Sequence, residues 1–322
     1  MSRMVSHLSA LIVFANLAAG SIAASQPARA RIIAAANVTV REGPSPQAPA
    51  VAQLPLGTEV TEAGDADLDK TWVRIVTPDR KDGWVLANLT RPLDAYWKWQ
   101  TQEKVITDRL ARTGDGFAAN VELVNYIERI GDTFTDPDGR ARIDLYWLRA
   151  AQQTLSSLPS NAAGREPYRA WLNRYQSWIA YSEPGAVWLV RNDAIWKVHD
   201  TRAGTAAADD IAWLTVTVGL GGECEGYLPC YFEWRNRLQG EYLRRHPAGA
   251  HAAEAVAAIG KTAALFSAPA TKLPADSFDP AQDCAAFLVS LDALKNAVEK
   301  AQGASDRDAT LTALSAFRKR CQ

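Results

Sequence analysis

Histidine and methionine are scarce in this 322-residue chain, at 4 and 2 residues, and neither charge is in excess, with 35 Lys and Arg against 36 Asp and Glu. Beyond residue 23 only His199, His246 and His251 remain, which starves mechanisms that rest on several imidazoles. The balanced charge gives no bulk attraction to phosphate backbones and no local basic patch compensates, so nucleic acid is not an expected partner. The phosphate loop Gly-x-x-x-x-Gly-Lys is absent, and so is the nucleophile elbow Gly-x-Ser-x-Gly. No apolar run reaches the roughly 20 residues that span a bilayer, so no transmembrane segment is expected. What is present is a globular balance, 48% hydrophobic and 22% charged, in a length that allows about two domains.

The first segment is an address. Residues 1–23 carry Arg3, then the apolar run Leu8 to Ala19, then small residues around Ser21-Ile22-Ala23, which is the form of a secretory signal peptide. A second small-x-small site at Ala28-Arg29-Ala30 places the cut between residues 23 and 30. A periplasmic or secreted protein is therefore expected. Four cysteines follow, and an even count in an oxidising compartment reads as disulfides. Gly226 and Pro229 lie between Cys224 and Cys230, so a turn can bring those two within bonding range. By elimination Cys284 then pairs with Cys321. A metal site at these cysteines is not expected, because the five-residue gap is not that of a zinc knuckle.

From residue 31 to 93 the pattern is short alternating runs broken by turn residues. Strands are expected at 37–40, 51–54, 59–61, 72–76 and 83–86, with an acidic loop at 65–69. The order Val38-x-Val40-Arg41-x-Gly43-Pro44-Ser45, Leu54-x-x-Gly57-x-x-Val60, Trp72-x-x-Ile75 and Gly83-Trp84-Val85 resembles the bacterial SH3 domain family. The resemblance implies a small all-β SH3-like barrel and a cell-envelope role, with peptidoglycan or an envelope protein or peptide as partner. Thr39 and Glu42 depart from the Asn and Ser usual in the family. Trp72 and Trp84 are candidates to line a peptide groove, against the alternative that both are core. Arg41 is a candidate for a peptide carboxylate, against the alternative of an internal bond.

Beyond Pro92 the texture becomes helical, so the fold class expected is multidomain, an SH3-like barrel followed by an all-α array. Helices are expected at 94–111, 117–134, 139–157, 165–181, 186–201, 208–218, 231–246, 250–266, 281–301 and 306–320. The units are then a helical domain at 94–266, a proline-bearing linker at 267–280 and a C-terminal hairpin at 281–322. Glu241 to Ala255 is similar to the inter-helix turn of tetratricopeptide-like envelope proteins, which implies a protein-interaction scaffold. Eleven tryptophans are present, nine of them after residue 93, and most fall on apolar helix faces that read as core. Trp97 and Trp99 stand about 200° apart on a helix, so one is expected against the helices and the other against the barrel.

The residues offer little for catalysis, and neither an enzyme nor a cofactor is expected. His246, His251 and Glu254 form an imaginable zinc set, read instead as helix-terminal residues. The leading expectation is a non-enzymatic envelope binding protein. The alternatives are a peptidoglycan-degrading glycosidase, with Glu223, Glu225 or Glu233 as acid and Asp210 also in play, and a helical sensor or inhibitor of an envelope enzyme.

Overall fold

A computed structural model describes residues 29–64, 70–267 and 278–321. The expected signal peptide, the acidic loop at 65–69 and most of the expected linker lie outside the described residues.

Seven strands form the first unit: β1 Ala30–Ile33, β2 Val38–Arg41, β3 Ala50–Leu54, β4 Glu59–Glu62, β5 Trp72–Val76, β6 Asp82–Leu86 and β7 Thr90–Pro92. Their order is β3-β2-β6-β5-β4-β1-β7, and every paired neighbour is antiparallel. Strands from both ends of that order share one core of Ile33, Val38, Val40, Leu54, Val60, Val73, Ile75 and Val85, so the sheet is rolled on itself. β1 and β7 go beyond the five expected strands. They pair at Ile32 and Arg91 and give β1 two loyalties: Ile33 enters the barrel core, while Ile32, on the opposite face, enters the core of the helices.

The second unit begins with α1 Lys98–Leu110, α2 Phe117–Gly131, α3 Pro137–Ser156 and α4 Tyr168–Arg174. The expected helices at 165–181 and 186–201 are interrupted by a hairpin, β8 Ile179–Ser182 and β9 Val187–Val190, before α5 Asn192–Thr201 and α6 Ala208–Val218. The reason is that Pro184-Gly185 sits between two runs of only four residues. Ile179, Tyr181, Val187, Trp188 and Val190 are β-branched or aromatic, and such short runs satisfy either period. α7 Leu228–Arg235, a π-helical turn Asn236–Gly240 and α8 Glu241–Arg245 run on into α9 Ala252–Ser267, α10 Pro280–Lys300 and α11 Arg307–Arg318. Two cores result. α1 to α6 enclose the first with Ile32, Leu56 and Leu93 of the barrel, and α6 to α11 enclose the second around Phe232, Phe287 and Phe317. α6 belongs to both, through Ile211 and Leu214 on one side and Ala212 and Trp213 on the other. No helix among the described residues is long and apolar enough to cross a membrane.

Both expected cysteine pairs are at disulfide distance, Cys224 with Cys230 and Cys284 with Cys321. The second ties the first turns of α10 to the short turn that follows α11.

The barrel is mounted on α2. Glu122 accepts hydrogen bonds from the backbone N–H of Leu56 at 2.9 Å and of Asn37 at 3.0 Å, and Arg129 donates to the Leu56 carbonyl at 2.7 Å. Bonds to an ionised group are worth about 1.5–3 kcal/mol each. Between them the Tyr126 ring lies flat against Gly57. Trp99 takes the expected place against the helices. It packs edge-on against Phe134 under the Arg142 guanidinium, whereas Trp97 is 54% exposed, with its ring edge-to-face with that of Tyr96, which is 81% exposed.

Candidate functional site

On the barrel, antiparallel pairing sets Trp84 opposite both Arg41 and Arg74, so the three side chains share the outer face of the sheet. Trp84 is half-buried there. Arg41 donates to the Ala48 carbonyl at 2.7 Å and so closes the 42–49 loop, while Arg74 is paired with Asp82. Trp72 is 7% exposed and offers no groove wall. Of the three expected ligand contacts, Trp84 and Arg41 are half-buried and keep surface on the outer face, whereas Trp72 does not.

A cavity of about 650 Å³ lies in the helical unit. Asp136 caps α3 by accepting from the Gly139 N–H at 2.7 Å, and Pro137 starts the helix with φ already set. That fixes the phase of α3, so Asp144, Trp147 and Leu148, at i, i+3 and i+4, face the cavity together. α5 contributes Lys197 and Thr201 from the opposite wall, and the turn after α4 contributes Tyr175 and Trp178. Trp147 meets Trp178 edge-to-face at 5.0 Å and tilts against Tyr175 at 5.7 Å. Glu128 of α2 organises this aromatic wall. One of its oxygens accepts from Trp147 Nε1 at 3.1 Å and the Tyr175 hydroxyl at 2.8 Å, and the other from Arg174 at 2.7 Å. Burial, reinforced by the bond to Glu128, pushes the Tyr175 hydroxyl pKa up, so it stays a donor. Asp144 is held by Arg202 at 2.7 Å, and Lys197 has no ion pair among the described residues.

The cavity thus combines half-buried indole surface with donors and acceptors of both signs. That suits a ligand with apolar faces and hydroxyls better than an ion of either charge. Sequence reading left Tyr175 and Trp178 within the helix expected at 165–181 and did not single out Glu128, Asp144, Trp147, Lys197 or Arg202. The i, i+3 spacing of Asp144 and Trp147 was the one available signal, and it is shared by many structural helices.

The expected acids of a glycosidase are not at this cavity. Glu233 accepts from the Ser290 hydroxyl at 2.5 Å, Glu225 sits in the loop closed by the first disulfide, and Glu223 lies just before that loop. Asp210 faces His251 at 3.4 Å and Arg149 at 3.9 Å. No group of three or more His, Cys, Asp or Glu suited to a metal occurs among the described residues. His251 instead stacks on Trp213 at 4.7 Å and contacts Glu254 at 3.6 Å.

His246 has a partner that the sequence did not suggest. Its Nε2 lies 2.8 Å from Nε2 of His199, joining α5 to the end of α8. His199 Nδ1 faces Asp200 at 2.9 Å and His246 Nδ1 faces Asp209 at 3.5 Å, while Arg245 binds Asp200 at 2.5 Å. An N–H···N bond requires one of the two Nε2 atoms to be unprotonated. Burial pushes the His246 pKa below 6.5 and outweighs the Asp209 charge, with His199 and Arg245 acting in the same direction as burial. The unfolded chain therefore takes up this proton at a higher pH than the folded one, and stability falls as pH drops from about 6.5 towards the folded value. Urea denaturation at pH 7.5 and 5.5 should show that loss, and His246→Gln should reduce it. An undiminished loss in the variant would place its origin elsewhere.

Residues 36–90 match the family model of the bacterial SH3 domain, which confirms the resemblance of the barrel. No curated protein and no solved structure matches the chain.

Proposed function

We propose that this is an exported, non-enzymatic cell-envelope binding protein, in which the barrel engages peptidoglycan or an envelope peptide and the helical unit is a rigid scaffold holding a second ligand. The observation that carries the reading is the bacterial SH3 barrel at residues 36–90, anchored through Glu122 and Arg129 while its Trp84 face stays open. Two disulfides are consistent with an extracytoplasmic address. For the helical unit, the aromatic cavity favours a short saccharide segment as ligand. Binding is favoured over hydrolysis there because Glu128 already accepts three hydrogen bonds and Asp144 is held by Arg202. Such carboxylates position neighbours rather than deliver a proton.

Co-sedimentation with purified sacculi tests the reading. The protein should sediment saturably without releasing soluble fragments, and Trp84→Ala should weaken sedimentation about tenfold, in the range of a lost aromatic anchor. Release of soluble fragments would instead revive the hydrolase, with Glu128→Gln as the next variant. Sedimentation indifferent to Trp84→Ala would remove the barrel face from the docking surface.

A further inference from the structure

A smaller cavity, about 250 Å³, lies at the joint between the barrel and α1, where β7 and the turn before it meet the end of the helix. Asn88 and Leu89 supply the barrel wall, and three guanidinium groups border the space, Arg91 from β7, Arg109 from α1 and Arg112 just beyond it. Arg109 is 4% exposed. Asp115, at 2.7 Å from one terminal nitrogen, is the sole partner of its guanidinium among the described residues, and its Nε is buried with none. Arg112 forms no side-chain hydrogen bond or ion pair among them. Arg91 reaches Asp108 only at 3.8 Å, and the other oxygen of Asp108 is taken by Lys104 at 2.9 Å.

Positive charge is therefore concentrated here beyond what the neighbouring carboxylates answer. Burial is the main opponent of the charge on Arg109; Asp115 counters it in part, and the nearby Arg112 adds a repulsion smaller than the Asp115 attraction. A buried arginine with an idle donor is costly unless something pairs with it, and a guanidinium fork matches a planar or tetrahedral oxyanion. We propose that this joint is an oxyanion-binding site, taking the carboxylate or phosphate end of a small ligand between Arg91, Arg109 and Arg112. The Asn88 amide is placed to add a donor. The space admits such a terminal group with little beyond it, so a polymer would enter only by its end. Because Arg91 and Asn88 belong to the barrel and Arg109 and Arg112 do not, the bound anion would also clamp the two units together.

Isothermal titration of the full protein with inorganic phosphate and, separately, with N-acetylalanine tests the site, at constant ionic strength in chloride. Saturable binding of at least one probe is expected, weakened about tenfold by Arg112→Ala and again by Arg91→Ala. Both side chains are at least partly exposed, and circular dichroism checks that the fold is intact. Phosphate alone would assign the ligand to the phosphate class, N-acetylalanine alone to peptide carboxylates, and both to oxyanions in general. Absence of saturable binding by either probe, or binding that survives the double variant, would overturn the proposal. The Trp84→Ala result on sacculi is independent of every one of these outcomes.

Discussion

Gly57→Val is expected to lower stability by about 3–5 kcal/mol, more than any other single substitution in the barrel loops. Two effects combine at this residue. Gly57 has φ 78°, at the third position of the Pro55–Thr58 turn, where a β-branched residue is strained. In addition, an added Cβ would clash with Cδ2 and Cε2 of the Tyr126 ring. That ring is 1% exposed and packed in the core shared by β1 and the helices, so it has little room to yield. Gly64→Ala separates the two effects, because Gly64 also has positive φ, 92°, but open space where its Cβ would go. It should cost only about 1 kcal/mol. In a Tyr126→Ala background, Gly57→Ala should likewise fall to the backbone part alone, a non-additivity read from a double-mutant cycle. Equal losses at Gly57 and Gly64 by urea denaturation would mean that Tyr126 does not wedge the barrel in place. Tyr126→Phe should be neutral or slightly stabilising, since the buried hydroxyl has no partner among the described residues.

Replacing both Cys284 and Cys321 by serine is expected to cost about 4 kcal/mol, and replacing Cys224 and Cys230 only about 2 kcal/mol, on the loop-entropy relation for cross-links. The separations are 37 and 6 residues, so the first bridge restricts the unfolded chain far more. It also closes α10 and α11 over the second core, in which Phe287 and Phe317 both touch Phe232. Midpoints of urea denaturation at equal denaturant slope give the comparison, with the double variants avoiding a stray thiol. A larger loss at the short bridge would show that local geometry around Leu228, and not loop length, governs the effect. Under reducing conditions the wild-type protein should approach the sum of the two losses.

Much of the architecture was written in local signals. Strand alternation with Gly43-Pro44, Gly57 and Gly83 located the barrel, and helices such as 208–218 and 281–301 carry enough periodic residues to name themselves. Gly226 and Pro229 marked the short disulfide, and the other followed from it. The hairpin at 179–190 was not legible, because four-residue runs on either side of Pro184-Gly185 are too short to distinguish a period of 2 from one of 3.6. Trp178 was misplaced for the same reason: taken as the continuation of a helix that ends at Arg174, it falls on a buried stripe, but in the turn it borders the cavity.

The candidate sites belong to long-range geometry. Glu128 meets Trp147 and Tyr175 across 19 and 47 residues, His199 meets His246 across 47, and Glu122 reaches Leu56 backward across 66. The sequence by itself determined the residue types and the element periods, and it pointed to the cysteine pairing. Only the tertiary structure decided which carboxylates are consumed by neighbours, which tryptophans keep a free face and where three arginines converge. The physical reason is that local propensity acts over one turn of chain, whereas burial and pairing of polar groups depend on which helix faces and strand ends the two cores press together.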